Sequence, residues 1–324
     1  MSKKIQLVNL YKKSFDDSEQ FINNFFTQYY ISKNVVSYTD NGKVISALHL
    51  MPKNIAFHDR IWRLPFIVGA ATLKEYRGQG YFKKLFKKTM LRLIETNTPF
   101  VMLYPQEREM YYKMGFIDIS FAGETTLKYD GNDARRITFD AEEMSNFFNE
   151  YLQSHFDFCQ YRNTKEVAKI TERWACEGIE PEIYERDGKI CYIAMSDKEI
   201  EEVVGEVSVL NGVKKLDGKT ITDFSKQDNP YVMARLVNAT KLLDSIVYIA
   251  DGDFKFKVVD RYMPQVEAVL SLKIKRGVPS VTTADSFDFE VSSQDLLRAA
   301  FGLPCDCPLT EVIGAQKTVF IDKY

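Results

Sequence analysis

Nowhere in the 324 residues is there a run of about 18 apolar residues, the length a helix needs to cross a bilayer. The N-terminal stretch Met1–Phe15 carries Lys3, Lys4, Lys12 and Lys13 but lacks the apolar segment of a secretory signal, so a cytoplasmic protein is expected. Basic residues are not in excess. The 43 Lys and Arg are balanced by 45 Asp and Glu, so the phosphate-neutralising surplus of a nucleic-acid binder is missing, and neither a nucleic acid nor a membrane is expected as a partner. Histidine is scarce, and His49, His58 and His155 are scattered. The five cysteines (Cys159, Cys176, Cys191, Cys305, Cys307) are odd in number, and only Cys305 and Cys307 lie close together, with no second ligand cluster beside them. No metal site is expected, and the thiols read as reduced and structural.

What remains is 45% apolar and 27% charged, the composition of an ordinary globular chain, at a length that calls for two or three cores. From Ser18 to Tyr29, Phe21, Ile22, Phe25, Phe26 and Tyr29 recur at helical spacing behind a capping Ser18 or Asp17. Val35–Thr39 and Val44–Met51 flank Asn41-Gly42, a strong hairpin signal. Ile61–Thr72 gives one or two further strands and ends at a glycine-rich turn. The spacing of Phe82, Leu85, Phe86, Met90, Leu93 and Ile94 then predicts a helix over Tyr81–Thr96, with lysines on its solvated face. Phe100–Tyr104 reads as a buried strand, and Glu107–Met114 as a short helix closed by Gly115.

Tyr38-Thr39-Asp40-Asn41-Gly42-Lys43-Val44 is echoed by Tyr184-Glu185-Arg186-Asp187-Gly188-Lys189-Ile190, each copy preceded by a helical segment and followed by a strand-like run. The second copy continues through Ser196–Val204 into no glycine-rich turn. Beyond Asp223 the pattern predicts an amphipathic helix over Tyr231–Leu243. Strand-like runs follow around Ile246–Ala250, Phe254–Val259 and Val266–Ile274, then a helix opened by Ser292-Ser293-Gln294-Asp295. The tail Thr318–Tyr324 is apolar and aromatic where a free end is usually polar, so it is expected to dock.

Chemistry is concentrated at Thr72–Phe82. A strand end, two glycines and a helix start aim unpaired backbone N–H groups at one point beside the positive end of a helix dipole, where a pyrophosphate fits. Gly78 and Gly80 let the backbone approach phosphate oxygens closely. The nucleoside-triphosphate loop Gly-x-x-x-x-Gly-Lys-[Ser/Thr] is absent, and so is the third glycine of the dinucleotide fingerprint.

Arg77-Gly78-Gln79-Gly80-Tyr81-Phe82 resembles the Arg-x-x-Gly-x-[Gly/Ala] pattern of the GNAT acetyltransferases, with Phe82 in place of the small last residue. Tyr111-Tyr112-Lys113-Met114-Gly115-Phe116 resembles the GNAT ending in which a Tyr precedes Lys-x-Gly-Phe. More narrowly, the Leu103-Tyr104-Pro105 strand end and Met233-Ala234-Arg235-Leu236-Val237 resemble the Eis (enhanced intracellular survival) family. That resemblance implies an α/β (α+β) fold class: tandem GNAT-like mixed sheets with flanking helices, plus a C-terminal α+β sterol-carrier-like domain. The expected parts are a catalytic GNAT domain at 1–129, a degenerate GNAT-like domain at 130–223 and a sterol-carrier-protein-like domain at 224–324. The function implied is acetyl-CoA-dependent transfer of acetyl to an amino group of a small cationic amine or lysine side chain. A non-catalytic acyl-CoA-binding or sensing protein, or a lipid-binding role of the last domain, stands as the alternative.

By the same resemblance the co-substrate acetyl-CoA is held by Ala70, Ala71 and Thr72 and by the turn Arg77, Gly78, Gln79, Gly80, Tyr81 and Phe82. Tyr111 is the general acid and the C-terminal carboxylate of Tyr324 the general base, and a homo-oligomer is the assembly the resemblance implies. A phenol of pKa about 10 protonating a thiolate of about 8.5 is uphill by roughly 2 kcal/mol, so the site must lower Tyr111 or couple the transfer to thiolate departure. Tyr112 competes from the same short helix. His49, on a strand face with Ile45, Ala47 and Met51, is a lesser candidate base that reads better as a core histidine.

Overall fold

The computed structural model describes residues 2–58, 60–314 and 316–321. Helix α1 (Lys3–Lys12) is followed by α2 (Glu19–Asn24), where the Ser18 hydroxyl accepts the Phe21 N–H at 3.1 Å. The chain continues as a π-helical turn over Phe25–Tyr29, so the expected helix is present with a widened last turn. Strands β1 (Val35–Asp40) and β2 (Lys43–Phe57) form the predicted hairpin, with Asn41 (φ 47°) and Gly42 (φ 77°) both left-handed. β3 (Arg60–Thr72) is one strand, paired with β2 along most of its length. Helix α3 (Tyr81–Glu95), β4 (Phe100–Leu103), α4 (Arg108–Tyr112) and β5 (Ile117–Thr126) follow in the order the sequence implies.

The chain then runs through β6 (Arg135–Ile137), α5 (Ala141–His155), β7 (Phe158–Tyr161), α6 (Thr164–Cys176), β8 (Glu180–Arg186), β9 (Lys189–Met195), β10 (Ile200–Gly205), β11 (Thr220–Asp223) and β12 (Asn229–Leu236). The last part holds α7 (Ala239–Leu243), β13 (Gly252–Val259), β14 (Ala268–Lys275), β15 (Val278–Thr283), β16 (Phe289–Ser292), α8 (Ser293–Ala300) and β17 (Thr318–Val319). Capping boxes at Asp140/Glu143 and Asn163/Glu166 start α5 and α6. Ser292 caps α8, as its sequence implies.

Among the described residues nine strands make the large mixed sheet, in the order β11-β5-β12-β4-β3-β2-β7-β17, with β1 on the upper half of β2. Two four-stranded sheets accompany it, β10-β9-β8-β6 and β15-β14-β13-β16. One core joins α1, α2 and the large sheet to the third sheet and α8, while two smaller cores lie mostly within residues 122–224. Among the described residues no helix is long and apolar enough to cross a membrane, which says nothing of a β-barrel.

Two expectations fail. Tyr231–Leu243 is not a helix: its first half belongs to β12, which lies antiparallel to both β4 and β5, and only Ala239–Leu243 is helical. Val232, Met233, Ala234 and Leu236 are all fully buried, and a strand buried on both faces loses the alternation that distinguishes it from a helix. Ile246–Ala250 is likewise no strand; only Tyr248 makes an isolated bridge, to Ile313.

Candidate active site

The site begins where β3 and β4 part. Their parallel ladder covers Phe66↔Met102 and Ile67↔Leu103; β4 ends there, while β3 runs on to Thr72. Val68–Thr72 therefore extend past the end of that ladder, which leaves backbone groups along a splayed edge. The divergence is sharpened by a bulge against β2 between Ala47 and His49 and by Gly69 at φ 57°. A Cβ at Gly69 would stand 3.0 Å from the Tyr11 ring, so the position excludes larger residues twice over. A glycine inside an apolar strand was the available signal for this bulge.

The strand end is pinned. The Leu73 N–H donates to the Ile45 carbonyl at 2.9 Å, the Thr72 hydroxyl lies 2.8 Å from that of Ser46, and Arg77 Nε donates to the Thr72 carbonyl at 2.9 Å. Gly78 (φ 75°) and Gly80 (φ 77°) are both left-handed, and among the described residues a Cβ on either would meet nothing within 4 Å, so the space over the turn is open to them. Gly80 caps α3 without any side-chain hydrogen bond. The first N–H groups of α3 are thus left for a ligand, and the geometry fits a pyrophosphate.

Sequence reasoning missed the brace beneath this turn. Lys43, from the β1–β2 turn, reaches Glu75 at 3.0 Å, and the Tyr76 hydroxyl donates to Asp40 at 3.1 Å. Ala70, Ala71 and Thr72 lie at the end of β3, with Ala71 and Thr72 buried and Ala70 half-buried, and Arg77–Phe82 follow in the turn and the start of α3.

Tyr111 stands against the same turn. Its ring meets Phe82 edge-on at 6.3 Å and Phe116 at 5.4 Å, so Phe82 turns inward onto Tyr111 rather than out over the glycines. Tyr111 is buried, and desolvation pushes its pKa up to about 12. Burial raises Tyr111 rather than lowering it; were it the proton donor, full transfer from a phenol near 12 to a thiolate near 8.5 would be uphill by about 5 kcal/mol, so donation would have to accompany departure of the sulfur.

Tyr112 points elsewhere and donates its hydroxyl proton to Asp118, which is also paired with Arg108. Arg108 goes on to the carbonyls of Pro230 and Tyr231, at 2.6 and 3.0 Å, so this cluster holds β12 in place. Gly115 (φ 82°) closes α4 against Arg235, whose guanidinium carbon would lie 2.9 Å from a Cβ there. Arg235 and Asp260 are both fully buried and paired at 2.6 Å, with the Ser293 hydroxyl donating to Asp260 at 2.6 Å.

His49 is buried among the ring edges of Phe25, Phe26 and Tyr30, and burial lowers its pKa to about 4. It is neutral at pH 7 and belongs to the core of the α2 face. Tyr324 lies outside the described residues. Thr318–Ile321 are buried: the Phe320 N–H donates to Ser120 at 3.0 Å, and the Tyr231 hydroxyl donates to the Ile321 carbonyl at 3.2 Å. The Tyr231 ring packs at 5.0 Å on Tyr104, the residue after β4. Among the described residues no group of three or more His, Cys, Asp or Glu could hold a metal.

Residues 2–117 match the family model of the acetyltransferase (GNAT) domain. No curated protein matches the chain. The fold is similar to that of a probable N-acyltransferase from Enterococcus faecalis (TM-score 0.76, 16% identity, 93% of this chain and 87% of that one). It is also similar to a GCN5-related N-acetyltransferase from Kribbella flavida (0.71, 15%, 93% and 86%) and to Eis1 from Mycobacterium abscessus (0.68, 9%, 99% and 96%). The splayed strands, the open glycine turn and the tyrosine beside it thus lie in or against a segment with a family of its own: the chain carries a GNAT acetyltransferase domain over residues 2–117 and is an enzyme of that type.

Proposed function

We propose that the chain is an N-acetyltransferase that binds acetyl-CoA once, through the turn Arg77–Phe82 and the free edge of β3 at Ala70–Thr72. The observation that carries this is the pair of left-handed glycines with empty space above them at an uncapped helix start, next to a tyrosine that keeps its proton. Acetyl-CoA supplies a thioester; the acceptor nitrogen forms a C–N bond to its carbonyl carbon as the C–S bond breaks. Tyr111 gives its proton to the departing sulfur. The proton lost by the amine goes to a base, for which the carboxylate of Tyr324 is the proposed group. Ile321, three positions before Tyr324 in the sequence, is linked through Tyr231 and Tyr104 to the end of β4.

The same proposal includes the tandem arrangement, with a degenerate GNAT-like part at 130–223 and a sterol-carrier-protein-like part at 224–324, and a cytoplasmic, oligomeric enzyme. The repeated hairpin at Tyr184–Ile190 supports the first of these. The sensing alternative loses its main support with Phe82 turned onto Tyr111, away from the ligand space. Acetyl-CoA-dependent release of free thiol with a panel of amines tests the activity. Coenzyme A binding without thiol release from any of them would return the protein to the sensing class.

A further inference from the structure

A cavity of about 140 Å³ opens on the sheet face that carries α2. Its lining includes Met51, Lys53 and Asn54 of β2, with the exposed Arg63 of β3 at the rim. Met51 lies opposite Phe66, the residue at which β3 meets β4, so the cavity starts beside the closed end of the splay. Phe25 and Tyr29 of the π-helical turn form one wall, and α6 closes the other with Glu166, Lys169 and Arg173.

The lining carries five cations, Lys53, Arg63, Arg162, Lys169 and Arg173, against one carboxylate, Glu166. Arg162 is held from behind by Glu202, with two bonds of 2.6 Å, and Arg173 by Glu201 at 3.4 Å. Glu166 accepts from Asn54 Nδ2 at 2.8 Å and from the Asn163 backbone N–H at 3.1 Å, so it is committed to structure. Among the described residues Arg63 and Lys169 enter no ion pair; Lys169 lies over the Tyr29 ring at 6.0 Å, and Arg63 is exposed at the rim.

Building on the acetyltransferase reading, we infer that this cavity is the acceptor subsite and that it takes an amine bearing an anionic group, a carboxylate or a phosphate. Two effects favour such an acceptor. Arg63 and Lys169 attract the anion, and a guanidinium offers carboxylate and phosphate a planar pair of donors. The same cations disfavour a nearby ammonium, so the acceptor nitrogen is more often neutral, the form that attacks a carbonyl. A purely cationic amine or an isolated lysine side chain meets repulsion instead. Arg63 precedes Phe66 by three residues, roughly 10 Å along a strand, which sets the span between nitrogen and anion to about that of an ω-amino acid with a five-carbon spacer.

The test uses the full chain, saturating acetyl-CoA and acceptors matched in spacer length: 6-aminohexanoate against hexylamine, and 5-aminopentyl phosphate against 5-aminopentanol. The expected result is at least a tenfold higher kcat/KM for the anionic member of a pair, and the better pair tells carboxylate from phosphate. Arg63→Glu should bring that ratio to one or below, chiefly through KM, and Arg63→Gln should fall between. Because Arg63 is exposed, both variants should melt like the parent. Equal efficiency within both pairs, or a ratio unmoved by Arg63→Glu, overturns the acceptor assignment while leaving the transferase standing. Absence of thiol release with every amine overturns the transferase reading, and this assignment with it.

Discussion

The hairpins at Asn41-Gly42 and Asp187-Gly188 turn alike, with φ of 47° and 77° in the first and 54° and 75° in the second, and each leads into a third antiparallel strand. They part company at the end of that strand. After β3 the glycines face open space and a helix begins with its N–H groups uncapped. β10 ends on Gly205 at φ 120°, where a Cβ would collide with the Ile190 carbonyl, and the chain then passes into a 3-10 turn over Val207–Gly212. Glycine leaves space open in the first unit and is required by protein packing in the second. A hairpin alone therefore says nothing about chemistry; the space above the next glycine decides.

The sharpest way to break this comparison is at Tyr111, the proposed acid, which stands beside the first turn. Tyr111→Phe is expected to lower turnover by about 10² to 10⁴, the usual contribution of a positioned acid, while acetyl-CoA affinity stays nearly constant. Tyr112→Phe removes a bond to the Arg108–Asp118 cluster, and its effect should be a lower melting temperature with turnover within a few-fold of the parent. Full turnover in both variants would remove Tyr111 from the mechanism. Because burial holds Tyr111 near 12, the alkaline limb of kcat/KM should show no fall between pH 9 and 10.

The tail bridges the two regions, since β17 pairs with β7 while the next residue bonds to β5. Appending a few residues after Tyr324 converts its carboxylate into a neutral amide and is expected to cost about a hundredfold in turnover if that group is the base. Tyr324→Phe keeps the carboxylate and should be mild. An extended protein that melts normally and acetylates at the parent rate would sink the assignment.

A smaller effect measures the cradle itself. Gly80→Asp places a carboxylate in the empty space over the turn, where it should repel a pyrophosphate and weaken coenzyme A binding by about thirtyfold, or 2 kcal/mol. Calorimetry should give one site per chain in the parent. Gly205→Ala, by contrast, should lower the melting temperature without changing the stoichiometry. Two equivalent sites, or a Gly80→Asp variant of parental affinity, would erase the distinction between the units.

Much of the first unit was legible because its signals are local. Asn-Gly requires two left-handed residues, Gly78 and Gly80 sit between a strand and a helix, and Ser18 and Ser292 cap helices three residues ahead. What was illegible depends on distant partners. β12 comes from more than 100 residues away to lie between β4 and β5, and its strand character exists only because both faces are covered. Arg235 gave no sign that it would be buried against Asp260 under Gly115. The inward turn of Phe82 likewise needed Tyr111 in place to be seen.

The two units also bury polar groups differently, which yields the smallest and most specific prediction. The second encloses a compensated pair, Arg162 and Glu202, with the Tyr192 hydroxyl on the same carboxylate. The first encloses His49 with aromatic edges around it and a pKa lowered to about 4. Its folded pKa lies below the ordinary 6.5, so the unfolded chain binds more protons in between. The stabilising contribution is therefore complete above about 6.5 and is lost as pH falls toward 4, amounting to about 2 kcal/mol by pH 5. In His49→Leu that dependence should vanish, whatever the substitution does to stability at pH 7. Urea unfolding at pH 7 and pH 5 measures it: the parent should lose about 2 kcal/mol more than the variant between the two. Equal losses would move the acid sensitivity out of the first unit and leave His49 a half-solvated side chain rather than a core one.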